Sequence, residues 1–229
     1  MSTISKNIII INKPIKWTSN DVVQKVKCLI GAKKVGHAGT LDPNASGVLV
    51  LGINEGTKLL TKLILDNKSY IAEIKFGTST NTYDATGEIV SSTNRMVTLT
   101  EVTKIVKDFY KNDYWQKPPQ FSALKINGQK AYVLARQKVD FEIAPRLVKI
   151  FKYQIIDFNY EKQILKISLD VSKGFYVRSF AVDLANKINS LAHLLTLIRT
   201  QSGPFEIKDA IEIEQVYDYW NNINKYSQN

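Results

Sequence analysis

The first pattern along the chain is a set of apolar residues spaced three and four positions apart, which predicts a helix. It begins after Thr18, which stands three residues before Asp21, the spacing of a capping box. Gly31 offers a stop at the far end. The apolar positions between these signals are Val22, Val23, Val26, Leu29 and Ile30.

Other apolar runs predict strands where they are short or alternate, and helices where they recur at helical spacing. The predicted strands lie at 8–11, 48–51, 70–76, 88–90, 148–158, 164–171 and 194–199, and the predicted helices at 55–64, 100–110, 129–137, 179–188 and 207–219. The glycine-rich segment 33–47 contains the Asp42-Pro43 pair and is predicted to be a loop. Because strands and helices do not alternate regularly, the pattern indicates an α+β fold with a mixed, largely antiparallel sheet. We expect one domain over residues 1–229, with a frayed polar tail after Trp220.

Composition narrows the class of protein. With 229 residues, 44% of them hydrophobic, the chain can bury a core, so disorder is excluded as its main state. A net charge of +10 favours a polyanionic partner such as nucleic acid. The lone cysteine Cys28 and two distant histidines offer neither an internal disulfide nor a zinc site. No apolar stretch approaches the ~20 residues of a membrane span, so we expect a soluble protein of the reducing cytoplasm.

Basic residues are dense between positions 117 and 152, where the acids nearby are Asp140 and Glu142. Such a run is either a solvated face or a surface that gathers the phosphates of a nucleic acid. Its members are Lys117, Lys125, Lys130, Arg136, Lys138, Arg146, Lys149 and Lys152.

The densest group of chemically useful residues is segment 36–49, around Asp42. Proline stiffens this loop and glycines let a ligand approach the backbone, which suits a rigid carboxylate used for nucleophilic or acid–base chemistry. A simple Asp-Pro turn, whose carboxylate accepts hydrogen bonds from nearby amides, explains the same pattern. Local composition leaves both interpretations open.

Segment 36–49 resembles, almost residue for residue, the signature of the bacterial tRNA pseudouridine synthase B family, whose members isomerise the T-loop uridine of tRNA. Further motifs of the family follow in its order over about residues 8–205. They are Asn12-Lys13-Pro14, Trp17-Thr18-Ser19, Gly56-Thr57-Lys58, Lys68-Ser69-Tyr70, 77–87, 118–125, 128–132, 174–179, Ala192-His193-Leu194 and Arg199-Thr200. The resemblance implies a tRNA pseudouridine synthase, an isomerase with that family's fold and a basic catalytic cleft.

The resemblance also implies three catalytic residues. Asp42 matches the nucleophile that assists cleavage of the bond between ribose and uracil N1 after the base is flipped out. Whether its carboxylate attacks the sugar, attacks the base or assists proton removal stays open. Arg178 matches the arginine that pairs with this aspartate, and Tyr70 matches a tyrosine that stacks on the base and is a candidate acceptor of the C5 proton. Taken alone, Arg178 would be a surface arginine at a helix start and Tyr70 a half-buried sheet residue.

Four further residues match RNA contacts of the family. His37 matches the histidine that lies on the T loop, and Lys13 and Lys58 fit phosphate contacts, with exposed surface lysines as the alternative. Leu194 matches an apolar residue that lines the uracil pocket, and the alternative is that it is an ordinary residue of the hydrophobic core. The resemblance implies no metal and no cofactor. We expect a monomer whose partner is the T stem-loop of tRNA.

The chain departs from the family pattern at three positions, none of which is the aspartate. Phe175 stands where Thr is usual, Gln137 where Gly is common, and Ile198 where the first of an Arg pair is usual. Many members also carry a small C-terminal RNA-binding domain of the PUA type, and we expect this chain to lack it. Such a lack affects affinity for RNA and leaves activity in place.

Two rival functions fit parts of the sequence. A tRNA-folding chaperone would keep the cleft without turnover, but it has no need of Asp42, Tyr70 and Arg178 together. An aspartate-dependent enzyme acting on nucleosides or sugars would want two carboxylates about 5 to 10 Å apart. Asp84 is the one other acid in the matched motifs, and the charge of +10 has no explanation for a small neutral substrate.

Overall fold

The computed structural model of the protein describes residues 7–64 and 67–225. Its strands are β1 (Ile8–Lys13), β2 (Val35–His37), β3 (Ala45–Ile53), β4 (Lys68–Phe76), β5 (Thr78–Thr80), β6 (Ile89–Ser92), β7 (Tyr114–Gln116), β8 (Lys125–Ile126), β9 (Gln129–Lys130), β10 (Arg146–Val148), β11 (Ile150–Asn159), β12 (Ile164–Val171), β13 (Ala192–Ser202) and β14 (Phe205–Glu206). Its helices are α1 (Ser19–Leu29), α2 (Leu60–Leu63), α3 (Leu99–Lys111), α4 (Ala131–Arg136), α5 (Val177–Lys187) and α6 (Val216–Lys225). Short 3₁₀ turns cover Asn54–Lys58, Ile207–Asp209 and Ile213–Gln215.

The chain divides into two compact units, which are described one at a time. The first combines Met1–Tyr70 with Ile198–Asn229, and the second is Ile71–Leu197. The divisions fall inside β4 and β13, so residues of each of these strands belong to both units. One catalytic domain over residues 1–229 stays a prediction.

The first unit is built on strands in the order β1-β3-β13, with β2 paired to β3 and β14 paired to β13. β1 runs antiparallel to β3, in a register that places Lys13 opposite Gly47. Alternate residues of β1 point to opposite faces. Ile9 and Ile11 pack in one buried cluster with residues of α1, while Ile8 and Ile10 pack in another. Burial on both faces explains why β1 is a continuous apolar run.

Helix α1 confirms the prediction made from its capping signals. Thr18 Oγ1 accepts from the backbone N–H of Asp21 at 3.0 Å, and an Asp21 carboxylate oxygen accepts from the N–H of Thr18 at 2.8 Å. This reciprocal pair satisfies two backbone donors that have no partner within the helix. The helix end next to the Asp42 loop is therefore fixed.

The second unit has strands in the order β13-β4-β12-β11. β11 and β12, which lie where the sequence predicts strands, pair antiparallel, and α3 packs against β11 and α5. Smaller antiparallel pairs form between β5 and β6, β7 and β10, and β8 and β9. The mixed, largely antiparallel sheet flanked by helices confirms the α+β class.

Several sequence predictions of secondary structure were wrong. The helix predicted over 55–64 is a 3₁₀ turn followed by the short α2, and the helix predicted over 129–137 begins with β9. A helix over 207–219 is not formed, because Ile211 pairs with β1 through Asn12 N to Ile211 O (2.9 Å) and Ile211 N to Ile10 O (2.9 Å). Two 3₁₀ turns and α6 replace it, and α6 extends past Trp220 into the predicted tail, whose residues 226–229 lie outside the described part of the chain. Segment 33–47 is not all loop, since it contains β2 and the start of β3.

Residues 7–64 and 67–225 contain no helix with the length and apolar character that crossing a membrane requires.

Candidate active site

Asp42 lies on the loop between β2 and β3, and backbone hydrogen bonds hold this loop on either side of it. On one side, the N–H of Leu41 donates to Ser19 Oγ at 2.9 Å, and the same hydroxyl donates to the carbonyl of Leu41 at 3.1 Å. On the other side, the N–H of Ala45 donates to the carbonyl of Asp42 at 3.0 Å. The carboxylate is therefore carried by a fixed backbone, which preorganised chemistry requires.

Lys13 is a buried cation in the same unit. None of its surface is exposed, and its ammonium donates to the carbonyls of Pro14 (2.8 Å) and Trp17 (2.6 Å). Burial lowers the pKa of Lys13 from 10.5 to about 8, while attraction to Asp42 acts in the opposite direction. Because the attraction is mutual, it favours the ionised carboxylate of Asp42.

The role that the sequence suggests for Lys13 does not fit this burial. A side chain with 0% exposed surface and two carbonyl acceptors does not reach an RNA phosphate in this conformation. It is not an exposed surface lysine either. Lys13 shares the alternation phase of Ile9 and Ile11 along β1, so it points toward the face that α1 covers.

Arg199, on β13, is a second buried cation, with 1% of its surface exposed. Its Nε donates to the carbonyl of Val48 at 2.7 Å and its Nη2 to the carbonyl of Gly39 at 3.2 Å. Burial lowers the pKa of Arg199 from its usual value, and a hydrogen bond to the Tyr70 side chain and the charge of Asp42 oppose that shift. The first unit thus brings Asp42, Tyr70, Lys13 and Arg199 into one electrostatic group.

Sequence reasoning missed Arg199 as a functional residue and placed it only at the end of a motif. The signal that could have found it is the alternation along β13. Arg199 is in phase with buried Leu197, whereas Ile198 between them is 37% exposed. A charged residue on the inward phase of a strand needs internal partners. The exposure of Ile198 also shows that this departure from the family pattern lies on the outer phase of the strand.

Gly47 allows the close contact between β3 and β13 on which this group depends. Its φ is +101°, and a Cβ there would lie 2.2 Å from the carbonyl oxygen of Arg199. No side chain fits at that distance, and the backbone conformation itself favours glycine. The position of Arg199 against the Asp42 loop therefore requires glycine at residue 47.

Arg178 belongs to the second unit, at the start of α5, and only 4% of its surface is exposed. It donates to the carbonyls of Thr82 (3.1 Å) and Phe121 (3.0 Å), and its Nε lies 3.8 Å from a carboxylate oxygen of Asp84. It is therefore not a surface arginine. Its pairing with Asp42 stays a prediction.

Asp84 lies beside Arg178, and one of its carboxylate oxygens, Oδ1, accepts three hydrogen bonds. It is 6% exposed and accepts from the Thr82 hydroxyl (2.8 Å), the Thr86 N–H (2.9 Å) and the Thr86 hydroxyl (2.5 Å). Three hydrogen bonds and an adjacent guanidinium suit a carboxylate that holds Arg178 and its loop in place. The rival enzyme with two working carboxylates receives no support from Asp84.

Leu194 lies beside the same loop of the second unit. Its N–H donates to the carbonyl of Tyr83 at 3.0 Å, its carbonyl accepts from the N–H of Ala85 at 2.9 Å, and 4% of its surface is exposed. The structure thus places Leu194 and Arg178, both near the end of that unit's sequence, at one loop near its start, residues 82–85.

The other predicted RNA contacts lie in the first unit. His37 is half-buried on β2, opposite Leu51 of β3. Lys58 ends the 3₁₀ turn Asn54–Lys58, its side chain is 77% exposed, and it forms an ion pair with Glu55. Its exposure is compatible with a phosphate contact, unlike that of Lys13.

Phe175, where the family usually has Thr, is part of an aromatic cluster. Its ring centroid lies 6.4 Å from that of Tyr114 and 5.8 Å from that of Phe180, and only 8% of the residue is exposed. The larger side chain fills apolar space next to α5 and contributes to packing.

The basic run in the second unit includes contacts with an aromatic ring. Lys130 and Arg136 lie over the Tyr132 ring, with their cationic atoms 5.6 and 5.4 Å from its centroid. Lys149 pairs with Asp113 at 3.2 Å while its side chain stays half exposed. Exposed basic groups around an aromatic ring suit a nucleic-acid surface.

Comparisons with known proteins agree on one family. Residues 27–177 match the family model described as TruB family pseudouridylate synthase (N terminal domain). A tRNA pseudouridine synthase B of Ureaplasma parvum serovar 3 is 96% identical over 226 residues, covering 99% of this chain and 100% of that relative. The protein of the same name from Malacoplasma penetrans is 43% identical over 218 residues, covering 94% of this chain and 90% of that relative.

Among solved structures, a chain from the crystal structure of a Cbf5-Nop10-Gar1 complex is similar, with a TM-score of 0.71 at 24% identity. The match covers 96% of this chain, which spans 56% of the length of that chain. At this identity the likeness supports a shared fold alone.

Proposed function

Since this chain belongs to the TruB family of pseudouridylate synthases, we propose that it converts the uridine at position 55, in the T loop of tRNA, to pseudouridine. Pseudouridine synthases are isomerases, because substrate and product contain the same atoms. Relatives at 96% and 43% identity are named tRNA pseudouridine synthase B, which supports tRNA as the substrate.

The observation that carries the proposal is the surroundings of Asp42. Its loop is fixed at Leu41 and Ala45, and two buried cations, Lys13 and Arg199, attract its charge. Every route left open for the reaction needs an ionised and rigid carboxylate in a site from which water is largely excluded. Attraction to the two cations favours the ionised carboxylate over the neutral acid, and so favours the reactive form.

The reaction exchanges one bond for another. After the uridine is flipped out of the T loop, the bond between C1′ of the ribose and N1 of uracil breaks, the base turns, and C5 bonds to C1′. C5 loses a proton and N1 gains one, so no atom is added or removed overall. Asp42 is the proposed nucleophile, and attack on the sugar, attack on the base and assistance in proton removal all stay compatible with its position.

Tyr70 is proposed to stack on the flipped base and to receive the C5 proton. Its side chain forms a hydrogen bond with Arg199, and because a guanidinium only donates, the phenolic oxygen accepts. This bond orients the phenol and places a positive charge beside the oxygen that would take the proton. Arg199 therefore supports both Asp42 and Tyr70.

The remaining roles follow the family pattern. Arg178 is proposed to pair with Asp42, and Leu194 to wall the uracil pocket. His37 is proposed to lie on the T loop, and Lys58 to contact a phosphate. Lys13 is proposed to stabilise the charge of Asp42 and not to touch RNA, because it is buried.

The test is incubation with an unmodified tRNA transcript, followed by mapping of pseudouridine. We expect product at the T-loop position with the wild type and none with Asp42→Asn, whose affinity for tRNA should stay within about twofold because the amide keeps the shape of the acid. Asp108→Asn, an exposed position on α3, is the matched control and should react like the wild type. Tight binding by the wild type without product would support the chaperone. Turnover by an Asp42→Asn sample free of deamidation would remove Asp42 as the nucleophile.

We further propose that the protein acts as a monomer in the cytoplasm, without metal or cofactor, through one catalytic domain. Light scattering during gel filtration checks the mass against 25.9 kDa. Turnover that persists in EDTA is the expected result, and loss of activity restored by a divalent cation would contradict it.

A further inference from the structure

Gln116, the last residue of β7, has none of its surface exposed, yet all of its polar atoms are engaged by hydrogen bonds. Its Oε1 accepts from the N–H of Tyr176 at 2.7 Å. Its Nε2 donates to the carbonyl of Tyr176 at 3.1 Å and to the phenolic oxygen of Tyr114 at 2.8 Å. One side-chain amide therefore pairs with both backbone groups of a single residue, as a neighbouring strand would.

Tyr176 is the residue immediately before α5, and Arg178 is the second residue of that helix. The start of α5 has no capping hydrogen bond from the side chain of Tyr176. The side-chain amide of Gln116 instead fixes the backbone where the helix begins. Just beyond Arg178, the hydroxyl of Ser179 donates to the carbonyl of Lys117 at 2.8 Å. The backbone is thus tied to residues 116 and 117 on both sides of Arg178.

The same segment also contacts the guanidinium. A few residues after Lys117, the carbonyl of Phe121 accepts from Nη2 of Arg178 at 3.0 Å. Movement of segment 116–121 would therefore displace both the backbone of Arg178 and one of its hydrogen-bond acceptors.

We propose that Gln116 is a positioning residue for Arg178 in the isomerisation, an inference that rests on the proposed function. Gln116 would not touch the uridine. It would hold the start of α5 so that the Arg178 guanidinium meets the reacting groups in one geometry. Displacement of a reacting or stabilising group by about 1 Å can cost a rate factor of about a hundred.

The chain contains a matched control in Gln163, which is also buried, at 5% exposure. Its Oε1 accepts from the N–H of Val97 at 2.7 Å, and its Nε2 donates to the carbonyls of Val97 (3.1 Å) and Tyr160 (2.7 Å). Val97 lies two residues before α3, and Tyr176 lies immediately before α5, but α3 carries no residue of the candidate site. Loss of Gln163 removes the same kind of bonds without reaching Arg178.

The experiment compares Gln116→Ala and Gln163→Ala under single-turnover conditions with saturating unmodified tRNA. We expect the rate of Gln116→Ala to fall by about tenfold or more, with tRNA affinity within about twofold. Gln163→Ala should lose a similar amount of stability in urea unfolding while its rate stays within about twofold. Equal rates for the two variants would overturn the proposal. A wild type that forms no pseudouridine would instead overturn the function on which the proposal rests.

Gln116→Glu gives a second measurement if the alanine variant fails to fold. Its carboxylate keeps an acceptor for the N–H of Tyr176 but has no donor for the carbonyl, and only the protonated acid restores that donor. We expect the ratio of its single-turnover rate to that of the wild type to fall by about threefold or more from pH 6 to pH 8. A ratio close to one at both pH values would mean that the donor is not needed, and would overturn the proposal, whereas a ratio that is low at both would mean that the carboxylate is ionised throughout and would support it.

Discussion

Replacement of Lys13 by methionine tests the charge that the structure places in the interior of the first unit. Lys13 is fully buried with a pKa of about 8, against 10.5 for the free side chain. This difference corresponds to about 3 kcal/mol by which burial of the charged form lowers the free energy of unfolding at neutral pH. Between pH 8 and 10.5 the unfolded state binds more protons than the folded state, so the free energy of unfolding rises with pH over this range. The destabilisation is absent above pH 10.5 and reaches its full size as pH falls through 8.

Methionine has a similar length and no charge, so Lys13→Met should lack this pH dependence. We expect the free energy of unfolding of the variant, relative to the wild type, to decrease by about 2 kcal/mol between pH 7 and pH 9.5. Urea unfolding of both proteins at the two pH values gives this difference, and other titrating groups cancel because they are shared. A difference between variant and wild type that is the same at both pH values would mean that Lys13 is solvated in the folded protein, and the argument for a buried cation beside Asp42 would fail.

Three further outcomes are expected. Tyr70→Phe should keep tRNA affinity and slow single turnover severely, since the ring remains and the hydroxyl bonded to Arg199 is lost; a rate equal to that of the wild type would reduce Tyr70 to a stacking residue. Burial raises the pKa of Asp183 from 3.8 to about 6, so its contribution to stability is present below pH 4 and is lost as pH rises through 6. In urea unfolding, the stability of Asp183→Asn relative to the wild type should therefore increase from pH 4 to pH 7. A difference in stability that is the same at both pH values would contradict this. Gly47→Ala should lower stability by about 3 kcal/mol or more and Gly128→Ala by about 1, because a Cβ at Gly47 would lie 2.2 Å from a backbone atom while Gly128 has open space. Similar losses measured by thermal unfolding would refute the close contact.

The elements predicted from the sequence succeeded where the pattern is local. The capping pair at Thr18 and Asp21 sets the start of α1 through neighbours only three residues apart, so the sequence contains the whole signal. The segment 207–219 failed because a distant strand competes for it. Ile211 pairs with Ile11 of β1, far away in the sequence, and such pairing has no local signature.

The candidate site divides in the same way. Asp42 was found because proline and glycine mark its loop and because the surrounding motif resembles a known family. The roles of Lys13 and Arg199 could not be found from residue type, since a lysine or arginine is usually exposed and contacts solvent or phosphate. Strand pairing and the packing of α1 reveal that Lys13 points inward, and the alternation of Arg199 with buried Leu197 along β13 reveals the same for Arg199.

The burial of Lys13 and Arg199 has a consequence for how the protein responds to ionic strength. Dissolved ions screen charges that are in contact with water, and they act much less on charges enclosed by protein. Contacts between exposed lysines and phosphates release counterions, so tRNA affinity should fall steeply as salt rises. The attraction between Asp42 and its two buried cations depends on salt much less. Ionic strength therefore changes how often tRNA is bound and leaves the rate of the bound complex nearly constant.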